Sequence, residues 1–343
     1  MGTSSPSGTV VIVMATFNDW RSILHLLPEI DRVMEPLAMT TNVVIVDDGS
    51  VDLEGRDELR ALDLRSIAQV DIVELARNYG NQRANAIGIA FVADRMKADY
   101  AVVMDSDHED LPEYIPPLLR ACAETDGRKI IFAARTKRSE SASFRALYWI
   151  YQRLYRVLTG QPISMGNFSV VPAAHLRRLA HVSEIWNHFA AGIMRSRLPY
   201  DKIVAQRGRR LFGRSRMNLT SLISHAFSGF SVYLDSIAVR ILMGSVWLGG
   251  AILAAALVVV GLKLFTDLPI PGWTSLLLAV FGLMLIQIVS GLCIVLFLVL
   301  VMRMQPSIIP LYEYQKYIYA TFRAYERVSA PGAQGSTARA PNA

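Results

Sequence analysis

Cysteine is nearly absent: Cys122 and Cys293 are the only two in 343 residues. One falls in a predicted helix and the other in an apolar stretch, so no disulfide framework is expected, which suits a reducing compartment. No Gly-x-Gly-x-x-Gly follows the first predicted strand, which disfavours an ordinary dinucleotide fold. Met1 to Gly8 is rich in Ser and Gly and lacks the basic-then-apolar pattern of a signal peptide. The net charge of +6 forms no nucleic-acid-like block; the bases cluster between Arg135 and Arg156 and between Lys202 and Arg216. No nucleic-acid partner is expected, and no internal repeat is present. Charge is also missing from two long stretches, Ile241 to Leu262 and Trp273 to Met302.

What is present in the first 135 residues is an alternation of apolar strands and helices. Thr9–Ala15, Asn42–Val46, Val70–Leu75, Tyr100–Met104 and Lys129–Ala134 read as strands. Helical patterns run from about Trp20 to Val33 and from Asn81 to Met96. This order predicts an α/β domain with a mostly parallel sheet covered on both faces.

Two strands run directly into carboxylates. Asn42–Val46 ends in Asp47-Asp48-Gly49-Ser50, and Tyr100–Met104 ends in Asp105-Ser106-Asp107-His108-Glu109-Asp110. Ligands bind at the carboxyl ends of strands in such sheets. A hard divalent cation keeps one or two protein carboxylates and takes its other ligands from substrate phosphates. Acidic strand ends therefore point to nucleotide-diphosphate chemistry. Asp110 and Glu113 fit a helix cap and a first-turn charge better than ligands.

The two uncharged stretches each exceed the roughly 20 residues that span a bilayer. Thr266 to Gly272, with Pro269 and Pro271, allows only a tight turn between them. An antiparallel membrane hairpin is expected, with both ends on one side. Arg240 and Arg303 flank those ends, against Lys263 and Asp267 at the turn. The positive-inside rule then puts the catalytic domain and both termini in the cytoplasm, at the cell membrane. Gly244, Gly249 and Gly250 fit close helix packing, and Gln287 fits a hydrogen bond across the helix interface. Met217 to Leu234 fits an amphipathic helix in the lipid interface. The Tyr-rich Tyr312–Arg327 fits a further membrane-proximal helix. The expected divisions are a flexible 1–8, a catalytic domain at 9–216, an interface helix at 217–235 and a hairpin at 236–304. A cytoplasmic helix at 305–328 and a disordered tail at 329–343 complete them.

In this order the motifs resemble the family-2 glycosyltransferases of GT-A fold. More narrowly they are similar to the polyprenyl-phosphate glycosyltransferases, which include dolichol-phosphate mannose synthases, bactoprenol glucosyltransferases and the lipid-A aminoarabinose branch. Val46 to Ser50 matches the nucleotide-binding strand end, and Arg77-Asn78-Tyr79-Gly80 the Arg-Asn-x-Gly turn. Asp105 to Glu113 resembles Asp-Ala-Asp-Leu-Gln-x-Pro-Pro-Glu. Thr159-Gly160, Gly166-Asn167-Phe168 and Phe212 to Met217 follow at the later blocks.

The resemblance implies a nucleotide-diphospho-sugar bound by Thr16, Asn18, Asp47, Asp48, Arg77, Gly80, Asp105 and Ser106. Mg²⁺ or Mn²⁺ would sit on Asp105 and Asp107, with Glu109 as a third ligand where relatives carry Gln. Arg135, Arg145, Ser215 and Arg216 would cradle the phosphate of a polyprenyl-phosphate acceptor. UDP is expected over GDP, and a homo-oligomer is an implied state because relatives associate through their membrane segments.

One departure bears on catalysis. Many relatives carry Asp where this chain has Asn167, and Asn takes no proton at neutral pH. A phosphate monoester has a second pKa of about 6 and arrives largely ionised, so it needs orientation more than a base. His108, Glu184 and His188 are further polar residues near the cleft. Rival readings are transfer to another lipid or glycan and a non-catalytic scaffold of the same fold. A processive synthase is disfavoured by the absence of any Arg-Trp pair, and a transporter by too few spans.

Overall fold

The computed structural model describes residues 7–135, 142–162, 165–212, 226–266 and 272–327, with backbone alone at 135 and 142–148. The expected tail, Ser215 and Arg216, the hairpin turn at 267–271, the interface helix up to 225 and most of the flexible start lie outside these residues.

Eight strands form one sheet: β1 (Thr9–Thr16), β2 (Thr40–Asp47), β3 (Ile67–Leu75), β4 (Tyr100–Asp105), β5 (Ile130–Arg135), β6 (Ser169–Pro172), β7 (Tyr200–Ala205) and β8 (Ile318–Glu326). Their spatial order is β7-β5-β6-β4-β1-β2-β3-β8. The central four, β4, β1, β2 and β3, are parallel. They read as continuous apolar runs because both faces are covered. Val10, Ile12 and Met14 of β1 join one core with α1 (Trp20–Met34) and α3 (Ile115–Glu124). Val11, Val13 and Ala15 join the other with α2 (Asn81–Arg95) and α5 (Ala173–Ala180). Two helices complete the domain: α4 (Ala142–Thr159) and α6 (Phe189–Arg195).

The sheet is mixed, which corrects the mostly parallel expectation. β6 runs antiparallel to both β4 and β5, and β8 runs antiparallel to β3. β6 has only four residues, too few to show a period in sequence. β8 also corrects the helix expected at Tyr312–Arg327. Only Pro310–Glu313 and Tyr314–Tyr317 are helical turns, and from Ile318 exposure alternates with the period of a strand. The Tyr314 hydroxyl fastens this return to α2, donating to Asp94 at 2.5 Å.

Between the domain and β8 stand two 32-residue helices, α7 (Leu234–Phe265) and α8 (Trp273–Met304). They pack against one another and are long and apolar enough to cross a membrane. Only 6% and 0% of their most apolar windows are buried, so neither is a core helix of the domain. α7 starts at Leu234, so one helix runs through the boundary that the sequence set between interface helix and span. Of the three glycines expected at the packing seam, only Gly249 faces the partner helix, where a Cβ would lie 3.8 Å from Leu285; Gly244 and Gly250 face open space. The base of the hairpin is tied to the domain. Asp235 at the start of α7 lies 3.5 Å from both Arg195 of α6 and Arg303 at the end of α8.

Candidate active site

The parallel register brings the acidic strand ends together. Thr16 pairs with Asp47 across β1 and β2, and Ala15 pairs with Asp105 across β1 and β4. The Ser106 hydroxyl donates to the Ala15 carbonyl at 2.9 Å and ties these ends in place.

The β2 end is built by its own carboxylates. Asp48 accepts from the Tyr79 amide at 2.6 Å and the Gly80 amide at 2.8 Å, so both oxygens hold the Arg77–Gly80 turn. Burial favours its proton and pushes its pKa up to about 6, against those two amides. Gly49 is required here, because its φ is +73° and a Cβ would meet the Arg77 carbonyl carbon at 2.6 Å. Asp47 accepts from the Ser50 amide at 2.9 Å through one oxygen. Its other oxygen, and the nearby Thr16 hydroxyl, are buried without a hydrogen-bond partner. Burial raises the Asp47 pKa as well. A buried orphan acceptor beside an orphan hydroxyl can receive a polar ligand group.

Asn18, expected at the nucleotide, is held by the loop that follows β2. Its side-chain oxygen accepts from the Val51 and Asp52 amides at 2.8 and 2.9 Å, and its own amide donates to Ser50 Oγ at 2.7 Å. It shapes the loop after β2. Arg77 is exposed and lies over the Tyr79 ring at 4.4 Å, with no ion pair to Asp47 or Asp48 within reach.

The β4 end is organised by partners from far along the chain. Asp110 accepts from the Asp105 amide at 2.9 Å, closing the acidic loop on itself instead of capping a helix. Asp107 accepts from the Glu109 amide at 3.1 Å, and its other oxygen lies 3.6 Å from Arg210. Arg210 also pairs closely with Asp19, and Arg207 pairs closely with Glu109. Burial lowers the Arg207 pKa, against the attraction of Asp107 and Asp105. Gly208 lets this basic arm come close, since a Cβ there would sit 2.1 Å from the His108 carbonyl oxygen.

Glu109, expected as a third metal ligand, pairs with Arg207 in this structure. Among the described residues no group of three or more His, Cys, Asp or Glu is arranged to hold a metal. Asp105 and Asp107 remain, a donor set that fits a hard cation sharing substrate phosphates.

Two of the other polar candidates have hydrogen-bond partners, while both ring nitrogens of His108 are buried without one. His188 accepts from the Ala191 amide at 3.3 Å and caps α6. Glu184 accepts from the Ser183 hydroxyl at 3.1 Å. His108 is buried, with Glu29 3.9 Å away and its pKa lowered by burial. Arg135 ends β5 and Arg145 lies in α4. Sequence reasoning missed Asp19, Asn81, Gln82, Arg207 and Arg210. The signal for the two arginines was there: a cationic run between 207 and 216 and an acidic run between 105 and 110 are complementary in charge.

Against this geometry, the profile of Glycosyl transferase family 2 matches residues 11–186, just over half of the chain. The chain belongs to glycosyl transferase family 2. It is 26% identical over 275 residues to the uncharacterized glycosyltransferase YkcC of Bacillus subtilis, covering 78% of this chain and 81% of that one. It is 25% identical over 281 residues to the undecaprenyl-phosphate 4-deoxy-4-formamido-L-arabinose transferase of Serratia proteamaculans, covering 74% and 83%. Among solved structures, glucosyl-3-phosphoglycerate synthase of Mycobacterium tuberculosis aligns over 67% of this chain and 80% of that chain, with a TM-score of 0.46 and 16% identity. The family-2 chain is an enzyme with glycosyltransferase activity on an α/β GT-A-like fold with a mixed sheet.

Proposed function

We propose that this family-2 enzyme moves a sugar, with inversion, from a nucleotide diphosphate to polyprenyl phosphate at the cytoplasmic face of a membrane. The observation that carries the donor half is the pairing of two strand ends: an orphaned Asp47 oxygen and Thr16 hydroxyl beside Asp105 and Asp107. Asp47 and Thr16 would receive the base or ribose, with Arg77 and the Gly80 turn alongside. Asp105 and Asp107 would hold Mg²⁺ or Mn²⁺. The cation would neutralise charge that develops on the leaving diphosphate. Arg210, which stays paired with Asp19, would lie close enough to Asp107 to meet a phosphate oxygen beside it.

The acceptor half rests on Asn167 and on the membrane helices. A neutral carboxamide suits an acceptor that arrives ionised and needs orienting. Arg135, Arg145, Ser215 and Arg216 would supply the cationic cradle, since guanidinium groups hold phosphate with paired bonds. The named activity of the Serratia relative supports undecaprenyl phosphate or a similar lipid.

Membrane anchoring is supported by the exposure of α7 and α8, where Trp247, Phe265 and Phe297 lie open. Apolar surface of that extent has no stable place in water. It continues onto α4, whose outer stripe of Trp149, Ile150, Leu154 and Val157 is also exposed. Arg240 of α7 donates to the Val157 carbonyl at 2.5 Å and joins the two surfaces.

The test is release of nucleoside diphosphate by detergent-purified protein given polyprenyl phosphate, Mn²⁺ and a panel of UDP- and GDP-sugars. Lipid-dependent release with one donor, abolished by chelator, is expected. Nucleotide binding without release for any donor would reject polyprenyl phosphate as the acceptor.

A further inference from the structure

The first turn of α2 reaches two sides of the site through side-chain amides. Asn81 donates to Asp105 Oδ1 at 3.3 Å, and Gln82 donates to Asn167 Oδ1 at 3.4 Å. Which way each amide faces is set by chemistry, because an NH₂ group only donates and a carbonyl oxygen only accepts.

For Gln82 the fixed point is a backbone N–H. The Phe189 amide at the start of α6 can only donate, so the Gln82 atom 2.7 Å from it is Oε1. Gln82 Nε2 is thereby turned to Asn167, which must present Oδ1. Among the described residues, the side-chain hydrogen bond of Asn167 is made by Oδ1, and Nδ2 has no partner. The residue itself is largely buried, at 8% exposed. The neighbouring relay ends in the same sense. Asn85 donates to Asn81 Oδ1 at 2.5 Å, which leaves Asn81 Nδ2 as the donor to Asp105.

We infer that Gln82 is a positioning residue, locking the Asn167 carboxamide so that Nδ2 presents its N–H to a phosphate oxygen of the acceptor. This rests on the polyprenyl-phosphate reading. It gives Asn167 a role that an ionised carboxylate cannot fill, because an oriented amide donates to the phosphate. Left free to turn, the Asn167 amide would present its oxygen to the phosphate half of the time and lose that advantage. The relay from the Phe189 amide through Gln82 removes this freedom.

The experiment measures kcat, KM for polyprenyl phosphate and, by calorimetry with Mn²⁺, UDP affinity in wild type, Gln82→Glu, Asn167→Asp, Asn167→Ala and the Gln82→Glu/Asn167→Ala double variant. In Gln82→Glu one carboxylate oxygen still accepts from Phe189. The other faces Asn167 and turns its amide over, oxygen outward. Acceptor KM should rise about tenfold or more, the loss expected for one hydrogen bond to a charged group, with UDP affinity unchanged. Asn167→Asp keeps the bond from Gln82 and should raise acceptor KM at least as much. With Asn167→Ala already present, Gln82→Glu should add nothing.

An acceptor KM within twofold of wild type in both Gln82→Glu and Asn167→Asp overturns the inference. So does an additive double variant, or a kcat that rises in Asn167→Asp. Should wild type fail on polyprenyl phosphate while binding UDP, the functional reading itself is rejected and the inference goes with it. A working wild type with indifferent variants removes the inference alone.

Discussion

The β2 end and the β4 end carry similar carboxylate runs, yet they are held in different ways. At β2, Asp48 and Asn18 accept from backbone amides 31 to 33 residues along the chain, so fixed main-chain donors hold the turn. At β4, Asp107 and Glu109 face Arg210 and Arg207, which arrive roughly a hundred residues later. Backbone amides are fixed donors, whereas ion pairs between side chains can be exchanged for other charges. The first end is thus a rigid seat, and the second can trade an arginine for a cation or phosphate.

Breaking the rigid seat should have the largest effect on stability. Asp48→Ala leaves the Tyr79 and Gly80 amides without their acceptor and should cost about 2–4 kcal/mol in denaturant unfolding, with loss of nucleotide binding. Asp107→Ala should spare the fold and lower kcat at least about a hundredfold, the scale set by losing one preorganised charge contact. Glu109→Gln separates a cation ligand from an ion-pair partner. Arg207 loses its partner at a cost of about 1–3 kcal/mol, while the Mn²⁺ requirement should stay as it was. A lost Mn²⁺ response would restore Glu109 as a ligand. Arg210→Ala leaves the largely buried Asp19 without its partner, should cost about 1–3 kcal/mol and should tighten the apparent Mn²⁺ affinity, because Asp107 no longer has a resident cation beside it.

A further effect is one of pH. The folded chain holds the Asp48 proton up to about pH 6, while the ordinary value is 3.8. Between those values the folded state binds more protons than the unfolded state, so this group's contribution to stability falls as pH rises through the window and is flat above it. Wild type should gain stability relative to Asp48→Asn as pH drops from about 7 to about 4.5, read by denaturant midpoints at the two values.

The contrast also marks what could be read from the residues. The central strands and both acidic ends were legible, because strands buried on both faces leave unbroken apolar runs that stop where the site starts. The division of labour between Asp47 and Asp48 was not, since it depends on amides that arrive from a turn 30 residues away. The loop contacts of Asn18 were illegible for the same reason. The pairing of the arginine arm was illegible because its partners, Asp19 and Glu109, are distant in sequence. β8 was mistaken for a helix because its tyrosines drew attention away from the period-two exposure between Ile318 and Glu326.

The most direct test of the central claim, that the two strand ends together seat a nucleotide diphosphate through a divalent cation, is calorimetric UDP and GDP binding with and without Mn²⁺. Wild type should bind one nucleotide tightly only with Mn²⁺, and Asp107→Ala should bind it weakly and with no response to the metal. Equal binding with and without Mn²⁺, or an unchanged Asp107→Ala, would contradict the account.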